Sequence, residues 1–459
     1  MSTNASIASG GLVSRGKLLQ VLGMWFGISA AIGNAISAGI VRTPGDIAKG
    51  LPQAGLFLAV WIVGGLYAFF GAPAIAELGA AIPRSGGQYN FSRRAIGEYA
   101  GFIVGWSDWL STCGTAAAVA IVIWEYSGTF LPMLAGYKLS FSTAVIVGFT
   151  VLQWRGVHWG SGAQLLTGAM KTAGFLILVI ACFFLGGKSH AIAATANSTA
   201  LPLPSGWPLA VAFMLGLQAV IYTIDGWDGI IYFGEEVRDP GRDVPRAIFG
   251  SVFSVMGIYL LLNLVALYLV PMKDFAGNNF VLGTVANLVF GGLGDPIIRS
   301  IMLVSLLSAM NANQLFCPRT LYAMSSDGLF FRAATKVNAG GTPTVALLLS
   351  TIAGVLFLLT GTFERVIAML SFFFVANYTL TYASLFLLRK REPNLERPYR
   401  ASGYPWTTGI ALGGSILFLI ASLLTDKLNA PWSLAILALS YPVYLILKWT
   451  RKNASQSIQ

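Results

Sequence analysis

Twelve apolar runs, most of them near 20 residues long, follow one another from Leu18 to Trp449 with short polar stretches between them. Wound as an α-helix, a run of roughly 20 residues matches the roughly 30 Å hydrocarbon core of a bilayer. Lipid offers no partner to a backbone N–H or C=O, so such segments must satisfy their own hydrogen bonds, and helices do so. Only 10% of the 459 residues are charged and 56% are hydrophobic, whereas a soluble domain carries roughly 25% charged residues. The pattern predicts an all-α polytopic membrane protein of about twelve transmembrane helices. The 12 Trp, 16 Tyr and 29 Phe suit the same setting, because aromatic rings collect at membrane interfaces.

The expected spans are Leu18–Val41, Gly55–Ala80, Tyr99–Trp124, Leu139–Trp154, Ala163–Leu185 and Trp207–Phe233, then Ile248–Val270, Ile298–Met324, Thr344–Thr360, Val366–Leu388, Gly409–Leu424 and Trp432–Trp449. Lys and Arg divide unevenly between alternate loops. One set of ends holds Arg15, Lys17, Arg84, Arg93, Arg94, Arg155, Arg238, Arg242, Arg246, Arg332, Lys336, Arg389, Lys390, Arg391, Arg397, Arg400, Lys448, Arg451 and Lys452. The opposite set holds Arg42, Lys49, Lys138, Lys188, Lys273, Arg299, Arg365 and Lys427. The positive-inside rule makes the first set cytoplasmic and puts both termini inside. It also accounts for the net charge of +11 without a nucleic-acid partner. The polar N-terminus lacks the apolar core of a cleavable signal peptide, so the first span is expected to serve as an uncleaved insertion signal. Cys113, Cys182 and Cys317 fall in apolar stretches and make no disulfide framework. His158 and His190 are expected in loops, which argues against a histidine-based metal or haem site. No cofactor is implied.

Two spans read as interrupted. The first crowds Gly27, Gly33, Asn34, Ser37 and Gly39 where a lipid-facing helix would carry Leu and Val. The sixth holds Asp225, Gly226, Asp228 and Gly229 near its middle. Glycine costs a helix about 1 kcal/mol relative to alanine, and an aspartate at bilayer centre costs at least about 2.5 kcal/mol. Both are tolerated where the helix breaks and faces a cavity. Close helix packing is the competing reading for the glycines, but packing does not call for two carboxylates. The breaks sit at matching positions in two five-span halves, the pattern of inverted repeats with a site at the midplane. An opened backbone offers N–H groups to an anion and carbonyls to a cation, and a zwitterionic amino acid needs both.

Four motifs in order carry a family resemblance. They are Ser37-Ala38-Gly39-Ile40-Val41 followed by Pro44, AELGAAIPRSGGQYNF from Ala76 to Phe91, GEEVRDPGRDVPRAI from Gly234 to Ile248, and CPRTLYAMSSDGLF at the end of the eighth span. On these the chain resembles the amino acid–polyamine–organocation superfamily, above all the L-type amino-acid transporters and their bacterial relatives. The resemblance implies a leucine-transporter-like 5+5 inverted repeat with broken helices 1 and 6. Its parts would be a cytoplasmic tail over 1–17, repeats over 18–190 and 205–390, two peripheral helices over 405–450, and a tail over 451–459.

It further implies a secondary active transporter of amino acids in the plasma membrane, working by exchange or proton-coupled uptake and not an enzyme. A carrier of cationic amino acids or polyamines, or a transporter-like sensor, is the alternative. Substrate carboxylate would meet backbone N–H groups near Ser37, Ala38, Gly39 and Ile40. The ammonium would meet carbonyls near Ala35 and Ile36, with others around Tyr222, Thr223, Asp225, Gly226 and Asp228. Lys171, deep in span five, would occupy the place that holds sodium in sodium-driven cousins and make sodium unnecessary. As a structural alternative it holds a permanent ion pair or carbonyl contact. Arg42 is a rim residue, a ligand for an acidic group or the partner of an aspartate. Asp108, with Asp225 and Asp228, either selects a cationic substrate or pairs internally, Lys171 and Arg42 included. Glu77, Glu235 and Glu236 are expected in gate or structural ion pairs with nearby arginines. In mammalian L-type relatives a cysteine after span three ties the protein to a glycoprotein subunit; the loop from Tyr126 to Lys138 has none, so no disulfide-linked partner is expected.

Overall fold

The computed structural model describes residues 17–187, 202–278, 280–359 and 363–456. Arg15, Lys188, His190, Thr360 and the tail before Lys17 lie outside them, as do the side chains of Arg365 and Lys452. Among the described residues fifteen α-helices run in order. They are α1 Met24–Ala35, α2 Gly39–Gly50, α3 Ala54–Ala81, α4 Tyr89–Ala95, α5 Glu98–Phe130, α6 Lys138–Trp154, α7 Val157–Leu185, α8 Trp207–Ile224, α9 Pro240–Leu269, α10 Val281–Phe290, α11 Gly294–Ser326, α12 Thr344–Leu359, α13 Phe363–Arg391, α14 Trp406–Thr425 and α15 Ala430–Gln456. Nine helical stretches among the described residues are long and apolar enough to cross a membrane, one of them comprising α10 and α11 together. Two shorter apolar helices, α6 and α12, and the α1–α2 pair make up the remaining apolar runs.

Burial separates centre from periphery. The most apolar stretch of α5 is 83% buried, against 28% and 22% in the last two helices. Their exposed faces carry Trp406, Leu417, Trp432 and Trp449, side chains that only lipid can cover favourably. The central helices are instead rich in small residues: Gly64, Gly65, Ala68, Gly71 and Ala72 in α3 let α8, α9 and α13 approach closely. A Cβ at Gly71 would stand 2.0 Å from the Tyr382 hydroxyl.

Several expected boundaries shift. The first span begins at Met24 rather than Leu18 and continues past the break to Gly50. The fifth starts at Val157, so His158 lies in a helix, in its exposed first turn, and not in a loop. The short helix α10 before the eighth span had no counterpart in the hydropathy reading.

Candidate functional site

Both interruptions are real breaks in the helix. α1 ends at Ala35, Ile36 leaves the helical region at φ −77° and ψ 86°, and α2 starts at Gly39 without a side-chain cap. The first N–H groups of a helix have no partner inside it, so Ser37, Ala38 and Gly39 present donors at the N-terminus of α2. Gly39 is a glycine for a packing reason: a Cβ there would stand 2.6 Å from Thr223 Oγ1. α8 ends at Ile224, where Asp225 turns extended at ψ 148°. Gly226 then adopts φ +95°, and a Cβ on it would stand 2.2 Å from Asn34 Nδ2. The chain continues as short 3-10 turns, Gly229–Tyr232 and Gly234–Glu236.

Distant helices supply the hydrogen bonds that the broken backbone loses. Lys171, fully buried on α7, donates from Nζ to the carbonyls of Gly33 at 3.0 Å and Ile36 at 2.7 Å. Ser305 on α11 donates to the same Ile36 oxygen at 2.7 Å. The Tyr259 hydroxyl on α9 lies 2.6 Å from the Ala35 carbonyl and 2.9 Å from that of Thr223, one donor between the two broken ends. The Thr43 and Thr223 hydroxyls, 2.8 Å apart, join α2 to α8. A cation beside the carbonyl end of α1 is also what the helix dipole favours.

Between the breaks lies a small polar cavity, with about 20 Å³ open to the centre of a water-sized sphere. That is space for a water or two, so the walls must part to admit anything larger. Asn34, Ser37, Tyr222, Asp225, Gly226 and Tyr232 line it from the two breaks, Thr112 and Thr115 from α5, Asn313 and Phe316 from α11, and Phe374 from α13. Asn313 donates to Asn34 at 3.0 Å. Thr115 Oγ1 is buried without a hydrogen-bond partner. Tyr222 stacks on Phe374 with 6.5 Å between centroids, and Tyr232 on Phe316 at 4.9 Å.

Of the residues singled out in the sequence, Ser37, Tyr222, Asp225 and Gly226 line this cavity, while Ala38 and Gly39, next in the chain after Ser37, do not. Ala35 and Ile36 sit behind it, their carbonyls held as described. Ile40 is buried and Thr223 is bonded within α8 and to Thr43. The three aspartates separate. Asp225 accepts from Tyr378 at 3.1 Å and faces the cavity. Asp108 accepts from Tyr232 at 2.6 Å and Thr320 at 2.9 Å, and Asp228 accepts from Gln88 at 2.9 Å; neither lines the cavity. Among the described residues no Lys or Arg lies within 4 Å of any of the three. Pairing of these carboxylates with Lys171 or Arg42 is therefore corrected: Lys171 is spent on carbonyls, and Arg42 reaches Glu125 on α5 at 2.7 Å. The carboxylate that Arg42 reaches there is a glutamate.

Ion pairs close the opposite end of the molecule. Glu236 and Arg319 are both fully buried and form a two-pronged pair, each bond 3.0 Å. Glu77 receives Arg389, Arg397 and the Ala401 N–H, and Asp327 receives Arg84 and Arg93. Expected pairing thus holds for Glu77 and Glu236, whereas Glu235 has no cation within 4 Å among the described residues; its backbone N–H bonds Ser85. Sequence reasoning passed over Arg319, Tyr259, Thr115 and Asn313. Arg319 stood inside a quoted motif. Intramembrane Asn and Tyr at a helix centre were the available signal for the others, but nothing local to them names a partner.

A family model described as "Amino acid permease" matches residues 19–447. The chain is 26% identical over 443 residues to the serine/threonine exchanger SteT of Bacillus subtilis (strain 168), covering 94% of this chain and 97% of that one. It is 26% identical over 463 residues to the large neutral amino acids transporter small subunit 2 of Mus musculus, covering 98% and 84%. With the Asc-type amino acid transporter 1 of Homo sapiens it shares 27% over 402 residues, covering 85% and 76%.

Proposed function

The chain belongs to the amino acid permease family, and we propose that it is a sodium-independent secondary transporter of small neutral amino acids working by alternating access. On this reading the chain crosses the membrane twelve times, with ten spans in two inverted five-helix repeats over 18–190 and 205–390 and two peripheral helices over 405–450; the nine long apolar helices among the described residues support it. It sits in the plasma membrane with both termini cytoplasmic, and no disulfide-linked subunit is required. Substrate carboxylate meets the N–H groups of Ser37, Ala38 and Gly39, and the ammonium faces Asp225 and the carbonyls around the α8 end.

The observation that carries the reading is Lys171 Nζ on the Gly33 and Ile36 carbonyls. Lys171 Nζ fills the carbonyl end of α1 with donors, where a mobile cation would otherwise be needed. Uptake into proteoliposomes is expected to run at equal rates in sodium and choline buffers; a strong sodium requirement overturns it.

Small neutral substrates are supported by the tight wall of Asn34, Thr112, Thr115 and Asn313 and by the engagement of Asp108 and Asp228 with neutral donors. Of the relatives named above, one is a serine/threonine exchanger, which suits a small neutral substrate, and another is a transporter of large neutral amino acids. A second reading rests on Asp225, the acidic residue on the cavity wall: a cationic amino acid or amine would place its second charge there. Competition against labelled substrate separates the two. Unlabelled serine, threonine or alanine is expected to compete while lysine, arginine and putrescine do not, and the reverse order would establish the cationic reading.

A further inference from the structure

A second cavity, about 630 Å³, opens on the outer face of the helix bundle between the last turns of α2 and the first turns of α8. That size lies within the roughly 300–1,000 Å³ of small-molecule sites. Gly50 and Gly216 face it, and a Cβ at Gly50 would come within 3.1 Å of the Ala212 methyl. The remaining wall is apolar, through Ile47, Val211 and Leu215. One end is charged: Asp46 and Lys49 lie 3.2 Å apart with their side chains 53% and 57% exposed. Trp207, at the start of α8, stands at the rim, 61% exposed, as an aromatic at a membrane interface does.

The two walls are the half-helices that leave the two breaks. Thr43 meets Thr223 next to the small polar cavity, and Gly50 meets Ala212 further out, so α2 and α8 pack antiparallel and the groove runs along their seam. Both helices belong to a membrane-spanning bundle, so an acyl chain reaches such a groove directly. The charged end then selects a headgroup. Anionic lipid is opposed by Asp46, and a quaternary ammonium has no proton to donate to it. An ethanolamine phosphate offers an N–H donor to Asp46 and an anion to Lys49, in charge-assisted bonds.

We propose that this groove seats one phosphatidylethanolamine, with an acyl chain along Ile47, Val211 and Leu215 and its headgroup on Asp46 and Lys49. The lipid steadies α2 against α8 and so couples membrane composition to the parting of the substrate cavity.

Native mass spectrometry of the full chain, delipidated and titrated with phosphatidylethanolamine, phosphatidylcholine or phosphatidylglycerol, tests the proposal. One retained phosphatidylethanolamine is expected, with weaker retention of the other two. Ala212→Trp fills the groove and is expected to abolish retention. Lys49→Ala leaves the apolar wall untouched and is expected to weaken it by up to about fivefold, the span of an exposed ion pair. Equal retention of all three lipids, or retention unchanged in Lys49→Ala, overturns the proposal even if Ala212→Trp does not fold. Where Ala212→Trp folds, undiminished retention overturns it too.

Discussion

Lys171→Met is expected to lower amino-acid transport by at least about tenfold while leaving a folded, monodisperse protein. Methionine keeps the bulk of the lysine stem within the apolar surroundings of α7 but has no donor. The Gly33 carbonyl loses the Nζ bond at 3.0 Å, and the Ile36 carbonyl keeps only Ser305. A buried acceptor stripped of its donor costs about 1–3 kcal/mol, and each 1.4 kcal/mol displaces an equilibrium about tenfold. That cost falls on the broken backbone that lines the proposed substrate site, so binding suffers more than the fold, which the other helices hold. Counterflow in proteoliposomes reads transport, and thermal melting of the same preparation reads the fold. Lys171→Arg is the control, since it keeps a cation but not its length. Transport by Lys171→Met at the wild-type rate would remove the lysine from the mechanism.

Arg319→Ala is expected to act on the fold instead. The pair with Glu236 is buried at both ends, and removing one member leaves an uncompensated charge, which costs about 3–5 kcal/mol. The consequence is amplified by what Glu236 holds in place. Its carbonyl accepts the Leu22 N–H at the entry to α1, and the Arg319 guanidinium lies 5.1 Å from the Phe233 ring, on the segment that follows the second break. Loss of the pair therefore loosens both interrupted helices where they meet α11. Yield of monodisperse protein and melting temperature should fall sharply in Arg319→Ala and in Glu236→Ala. The double change Arg319→Met with Glu236→Met should recover most of the loss, because two apolar groups of similar volume replace a buried pair at little cost. If the single variants melt like the wild type, the pair has no structural role.

The same two residues mark how far the chain could be read without a fold. Glu236 was legible as a partner for some arginine, since it sits in an acidic turn beside several. Arg319 lies 83 positions away near the C-terminal end of α11, and nothing in its neighbours points back to Glu236. The Asp108, Asp225 and Asp228 set teaches the same lesson in reverse. As letters they form one group of intramembrane carboxylates; as atoms only Asp225 faces the cavity, because Tyr232 and Thr320 turn Asp108 away and Gln88 turns Asp228 away. The helix α10 escaped notice because its ten residues are too few for a span and continue an apolar stretch.

By itself the sequence determined that the chain is an all-helical membrane protein and that its helices break near Ser37 and Asp225. These are local matters: hydropathy summed over a window, glycine and proline withdrawing helix stability, and aspartate refusing lipid. Only the tertiary structure decided which groups repair the breaks. Lys171, Ser305 and Tyr259 come from three different helices to satisfy the carbonyls of Gly33, Ala35 and Ile36. A hydrogen bond is made at about 3 Å, and which donor stands at that distance depends on how distant helices pack, not on the residues beside it in the chain.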